Sequence, residues 1–220
     1  NNDYLHQLQL FNQFKDKVLF LNDPQSLMSF NEKLSILMVP ELTPPTMVAK
    51  TKAILLPFIH EQKSVVLKPL DGFGGQGIFN FKHTDHNISP AIEELTKNET
   101  IAIMAQKAVD HTTGDKRIFV LNGKPLGAIL RHSDSHRKNL IAGGHAEQTE
   151  LTNKDHHIVN RLAAFLNEHK LSFVGLDVID DHLIEINVTS PTGIQQYNQL
   201  NQSNLQSDII DFMVEQLKQY

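Results

Sequence analysis

The stretch Phe173–Thr192, FVGLDVIDDHLIEINVTSPT, reads as a β-hairpin that gathers oxygen ligands on one face. Ile179 and Leu183 are expected to flank a turn at Asp180, Asp181 and His182. That register sets Val178 opposite Ile184, Asp177 opposite Glu185, and Gly175 opposite Asn187. Side chains alternate faces along a strand, so Asp177, Glu185 and Asn187 project together while Val178, Ile184, Ile186 and Val188 meet a core. Two carboxylates directly opposite on a sheet repel each other, and a hard divalent cation between them turns that cost into a binding site. The hairpin alone fits an ordinary wet-faced ribbon equally well.

Around the hairpin lies a chain of 220 residues, enough for one large domain or two small ones with a sizeable core. It contains no cysteine, which removes disulfides, thiolate metal sites and a cysteine nucleophile, and fits a reducing cytoplasm. The net charge of −5 argues against a dedicated nucleic-acid binder but permits a local basic pocket. No apolar run approaches the roughly 20 residues that span a bilayer, so no membrane partner is expected. The first residues, NNDYLHQLQLFNQF, lack the pattern of a signal peptide, and the chain does not start with Met, which is compatible with a longer parent protein. Of twelve histidines, only HSDSH (His132–His136) has the spacing of a helical zinc pair; it lacks the glutamate after the first histidine, and most of the twelve read as solvated.

Strands and helices mix irregularly along the chain. A short strand is expected at Val18–Leu21, and a helix through SLMSFNEKLSILMV after the start signal Asn22-Asp23-Pro24. Further strands are expected at Thr46–Val48, Ser64–Lys68, Ile78–Lys82, Ile101–Ala105, Ile118–Leu121 and Pro125–Leu130, the last two joined by the turn Asn122-Gly123. Helices are expected over Lys50–Gln62, from Ser89-Pro90 to about Thr96, from the cap Thr152 to about Glu168, and over Asn204–Leu217. Several hairpins and no regular alternation predict an α+β fold with antiparallel sheets.

VVLKPLDGFGGQGIF contains the spacing Gly72-x-Gly74-x-x-Gly77. A dinucleotide-binding turn would lead into a helix, but IFNFK alternates like a strand. A Walker A loop needs its lysine after the glycines, whereas Lys68 precedes them, and the motifs of a protein kinase are absent. What remains is a strand, a glycine loop and a strand, which can fold over phosphates with its amides replacing water. Lys68, inside an apolar strand, calls for an anionic partner.

In order, SLMSFNEKL, VVLKPLDGFGGQGIF, MAQ, GDKRIFVLNGKP, NLIAGGHAE and FVGLDVIDDHLIEINVTSPTG resemble bacterial glutathione synthetase, an ATP-grasp ligase family, from about Pro24 to the C-terminus. The resemblance implies two α+β lobes clasping a nucleotide: residues 24–106 as the small lobe with a glycine-rich lid, residues 107–220 as the large lobe with the metal site, and residues 1–23 as a remnant of an N-terminal domain. It implies ATP and Mg²⁺ (or Mn²⁺) as cofactors. It further implies a carboxylate–amine ligation in which γ-glutamylcysteine is phosphorylated to an acyl phosphate and glycine displaces the phosphate, leaving ADP.

By the same resemblance, Lys33 and Lys68 contact ATP phosphates under a lid containing Gly72, Gly74 and Gly75. The segment Gln106, Lys107, Ala108 and Val109 is the hinge that meets adenine. Asp177, Glu185 and Asn187 are magnesium ligands. Arg117 binds the acceptor or the transferred phosphoryl group, although it also fits as an ion-pair partner of Asp115 or Asp177. Asn139, Gly143 and Gly144 approach the reacting carboxylate, and Ser190–Gly193 approaches glycine and phosphate. The sequence departs from the family in lacking most of the N-terminal domain, in a shorter loop Arg131–Asn139, and in AVDHTT (Ala108–Thr113), which has no Leu-Pro element. These departures weaken the acceptor side, so a ligase for another amino acid or peptide, or a non-catalytic nucleotide-binding subunit, stays open. Relatives are often homo-oligomers.

Overall fold

The computed structural model describes residues 2–72, 76–110, 114–132 and 145–219. Two antiparallel sheets organise them, as the α+β reading predicts. The first has the order β1 (Thr46–Ala49), β4 (Ile103–Lys107), β2 (Ser64–Pro69), β3 (Phe79–Lys82). The second has the order β7 (His145–Gln148), β6 (Lys124–His132), β5 (Asp115–Leu121), β8 (Phe173–Ile179), β9 (His182–Asn187).

Each sheet has one face sealed by helices. Leu55, Phe58 and Ile59 of α3 (Lys52–Gln62) and Ile88 and Ile92 of α4 (Ile88–Leu95) pack on Val65, Leu67, Ile103 and Ala105. In the five-stranded sheet, Ile118, Val120, Val174, Leu176 and Ile186 meet Ile158, Val159, Leu162 and Leu166 of α5 (Asn153–Glu168). Thr152 and Asp155 close a reciprocal capping box at the start of α5, which is why this helix begins where the sequence places it. The opposite face of this sheet is divided. Phe119, Leu121 and Ile129 lie under α6 (Ile194–Asn201) and α7 (Leu205–Gln219), while its other end carries the charged residues. The α6 helix escaped the sequence reading, although Ile194, Tyr197 and Leu200 recur at helical spacing; β7, HAEQ, carries no strand signal of its own.

Several expectations need correction. Residues 2–12 form helix α1 (Asn2–Asn12), and no strand forms at Val18–Leu21. The helix expected through SLMSFNEKLSILMV breaks into α2 (Pro24–Ser29) and a 3₁₀ turn at Leu34–Met38. Its interruption has a local cause: Asn31 Oδ1 accepts from the backbone N–H of both Lys33 and Leu34, at 2.9 and 3.1 Å, and so offers the chain an alternative to the helix. The helix expected to be capped by Ser89 starts two residues earlier, at Ile88, with Asn87 at the cap position.

The Phe173–Thr192 hairpin differs at its tip. Asp180 and Asp181 both have positive φ, 46° and 61°, and form a two-residue turn, so Ile179 pairs with His182 and Val178 with Leu183. This pairing is one residue tighter than expected. A bulge between Asp177 and Val178 makes Ile184 the extra residue and restores the register, so Asp177 still faces Glu185 and Gly175 still faces Asn187. Leu183, not Ile184, enters the core.

Candidate functional site

The polar end of the five-stranded sheet is a row of charges. Cross-strand pairing sets Arg131 beside Asp115, Arg117 beside Asp177, and Asp177 beside Glu185. Arg117 grips Asp177 with two parallel bonds, Nε to Oδ1 at 2.5 Å and Nη2 to Oδ2 at 3.0 Å, and its Nη1 donates to the Thr192 carbonyl at 3.2 Å. Arg131 Nη2 donates to Asp115 Oδ2 at 2.6 Å and lies 3.0 Å from Asp177 Oδ1. All four residues are buried.

Burial by itself pushes the Asp177 carboxyl up, but the charges and hydrogen bonds of Arg117 and Arg131 overcome it and hold the group far below the usual carboxylate range. At Asp115 burial, reinforced by the Asp177 charge, outweighs the nearby Arg131 and Arg117 and pushes the carboxyl up to about 6. Gly175 makes the Arg117–Asp177 grip possible. A Cβ there would come within 2.9 Å of Arg117 Cδ, so the guanidinium arm passes over a residue without a side chain. Sequence reasoning used Gly175 only to fix register; its role depends on the path of a side chain from another strand.

Lys33 and Lys68 approach from the other side. The Asn31 turn presents Lys33, whose Nζ donates to Glu185 Oε1 at 3.1 Å and to the Gly72 carbonyl at 2.6 Å. Next to it, the Glu32 carbonyl accepts from Ile186 N–H, tying this segment to β9. Burial raises the Glu32 carboxyl, and the nearby charge of Glu185 adds to the rise. Lys68, 7% exposed, donates to Gln106 Oε1 at 2.7 Å. Its ammonium is pulled down to about 8, mainly by burial, with Glu185 opposing.

The strand, glycine loop and strand expected from the sequence is a true hairpin: Leu67 pairs with Phe79 and Ser64 with Lys82. Gly77 sits at φ +69°, a conformation glycine supplies without strain. Gly74, Gly75, Asn139, Gly143 and Gly144 lie outside the described residues. In the segment expected to be the hinge, Lys107 N–H donates to the Pro45 carbonyl and Ala108 N–H to the Ser64 carbonyl, at 2.8 and 2.9 Å. The backbone N–H groups of these two residues are therefore already used within the fold.

The structure thus brings Lys33, Gly72, Arg117, Asp177, Glu185 and Asn187 to one place, and sets Lys68 on the face of the neighbouring sheet opposite α3 and α4. Two carboxylates and a carboxamide are an oxygen set suited to a hard divalent cation. Asn187 spends its amide N–H on the Gly175 carbonyl at 3.3 Å, leaving Oδ1 as a ligand, and the Glu185 side chain is 24% exposed. Asp177 already serves two arginines. Among the described residues no three His, Asp or Glu side chains are arranged to hold a metal, so protein donors would be completed by phosphate oxygens and water, as Mg²⁺ prefers. A cleft of about 350 Å³, lined by Lys15, Phe20, His169 and Lys170 among others, lies away from this chemistry.

Residues 32–202 match the family described as prokaryotic glutathione synthetase, ATP-grasp domain. The chain is 41% identical over 195 residues to glutathione synthetase of Nitrosomonas europaea, covering 87% of this chain and 61% of that protein. It is 41% identical over 221 residues to glutathione synthetase of Vibrio cholerae, covering 98% of this chain and 70% of the relative. The chain therefore spans less than two thirds of the Nitrosomonas protein. In fold it is similar to the D-alanine–D-alanine ligase of Bacillus anthracis complexed with ATP, with a TM-score of 0.62 and 17% identity over 88% of this chain and 68% of the ligase. It is also similar to the ATP-grasp ligase PsnB, solved with a phosphomimetic precursor variant, Mg and ADP, with a TM-score of 0.69 and 13% identity over 92% of this chain and 64% of PsnB. Among the described residues no helix is long and apolar enough to cross a membrane.

Proposed function

The chain belongs to the prokaryotic glutathione synthetase ATP-grasp family, and we propose that it carries the nucleotide and metal site of an ADP-forming carboxylate–amine ligase. Its substrates are ATP, γ-glutamylcysteine and glycine, in the cytoplasm. The observation that carries this reading is the convergence of Lys33 with Arg117, Asp177, Glu185 and Asn187 at the charged end of the five-stranded sheet.

In this reading Lys68 and Lys33 neutralise phosphate oxygens of ATP. Lys33 holds Glu185 and the Gly72 carbonyl together, which couples the lid to the large sheet. Bound Mg²⁺ would be held by Asp177, Glu185 and Asn187 and would supply charge neutralisation at the transferred phosphoryl group. Arg117, fixed on Asp177 and Thr192, stabilises negative charge as the acyl phosphate forms and as the amine displaces phosphate. No protein nucleophile is needed; positioning and preorganised charge do the work. The lobes divide as residues 24–106 and 107–220, with Gln106 to Val109 as the hinge.

The test is ADP formation with ATP, Mg²⁺, γ-glutamylcysteine and glycine, each omitted in turn. Turnover that requires all four is expected. Turnover with a different acceptor removes the glutathione assignment and leaves the nucleotide site, whereas nucleotide binding without turnover points to a fragment, a different substrate or a missing partner.

A further inference from the structure

Lys68 faces a neutral group, and that group is itself held. An ammonium can only donate, so Gln106 must offer it Oε1 rather than Nε2. This turns Gln106 Nε2 the other way, where it donates to Thr46 Oγ1 at 3.0 Å. The Thr46 hydroxyl accepts that bond and gives its own hydrogen to the Pro44 carbonyl at 2.7 Å. A carbonyl cannot donate, so the series has one direction, from Lys68 through Gln106 and Thr46 to Pro44. The strands enforce it: Thr46 stands opposite Gln106 across β1 and β4, and Lys68 stands opposite Met104, two residues along the same face of β4. Gln106 is 2% exposed, so water cannot substitute freely for a lost partner.

We propose that Thr46 is a positioning residue for the nucleotide: its hydroxyl fixes the Gln106 amide with the oxygen toward Lys68, and so aims the Lys68 ammonium at the ATP phosphates. The inference rests on the reading of Lys68 as a phosphate contact. The Thr46 hydroxyl is engaged by Gln106 and Pro44, so it acts through Lys68. Without its oxygen, Gln106 Nε2 loses its acceptor, and the amide is free to turn a donor toward the ammonium, which drives Lys68 out of place.

The experiment is a double-mutant cycle read by calorimetric affinity for AMPPNP with magnesium, using wild type, Thr46→Val, Thr46→Ser, Lys68→Met and the Thr46→Val/Lys68→Met pair. Thr46→Val should weaken binding about tenfold, the scale of one neutral hydrogen bond. Thr46→Ser, which keeps the hydroxyl, should bind like wild type. Lys68→Met should weaken binding further, and adding Thr46→Val to it should change nothing more. Additive losses overturn the proposal, as does a valine variant that melts earlier but binds normally. An unchanged affinity in Lys68→Met alone removes the phosphate reading and the inference with it, an outcome visible in that single variant. Should Thr46→Val not fold, Thr46→Ala, which also removes the hydroxyl, takes its place in the same cycle with the same outcomes.

Discussion

In the four-stranded sheet Lys68 faces the oxygen of a neutral amide, whereas in the five-stranded sheet Arg117 and Arg131 share the carboxylates of Asp177 and Asp115. Both arrangements bury cations, but they have opposite consequences. An ammonium beside a dipole is poorly compensated, so its proton is held more loosely and an incoming anion is welcome. Guanidiniums locked on carboxylates are compensated before any ligand arrives, and removing either side leaves a bare charge. In the proposed function, one sheet keeps charge available for the nucleotide, and the other uses charge as the frame of the site.

The sharpest break of this comparison is Asp177→Ala. It strips two buried guanidiniums of a shared partner and should cost about 3–5 kcal/mol in denaturant-induced unfolding. A variant as stable as wild type would mean that the arginine frame contributes nothing to the fold. Lys68→Met should do the reverse: unfolding free energy unchanged or higher, and turnover reduced by ~10²–10³, the loss of a transition-state charge contact. Turnover near the wild-type rate would remove Lys68 from the site.

The two regions also separate by pH. Below about 8 the Lys68 amine is protonated in both folded and unfolded chains, and the cost of burying it is fully present. Between there and the ordinary value of 10.5 the unfolded chain binds more protons, so stability rises with pH, by up to about 3 kcal/mol across the window. Above 10.5 the cost is gone. Urea midpoints at both ends of that window should show a steeper rise in wild type than in Lys68→Met; parallel curves would refute the buried, poorly compensated lysine. The smallest expected effect is at Gly175. Gly175→Ala places a methyl against the Arg117 side chain and should destabilise by about 1–3 kcal/mol with a matching fall in kcat, measured by melting and steady-state assay. A fall in stability with kcat intact would show that Arg117 can reach the site by another path.

Much of this was legible in residue order. Asp177, Glu185 and Asn187 share a face because alternation along two strands requires it, and a bulge preserved that face when the turn proved tighter. Lys68 in an apolar strand called for an anionic partner, but it is buried against the neutral Gln106 amide instead. By contrast, the break at Asn31 that presents Lys33 looked like continuous helix, because a side chain capturing two backbone N–H groups leaves the apolar spacing intact.

By itself, the sequence determined the antiparallel α+β class, the hairpin face, the glycine loop between strands and the family, all of which follow from local periodicity and ordered motifs. Tertiary structure alone decided which partner each charge received. Arg117 reaches across Gly175 to Asp177, Arg131 takes Asp115, and Lys68 is left with Gln106 and, behind it, Thr46. Those pairings join residues 16 to 60 positions apart, and they depend on strand order and side-chain path, which periodicity within a single segment does not encode.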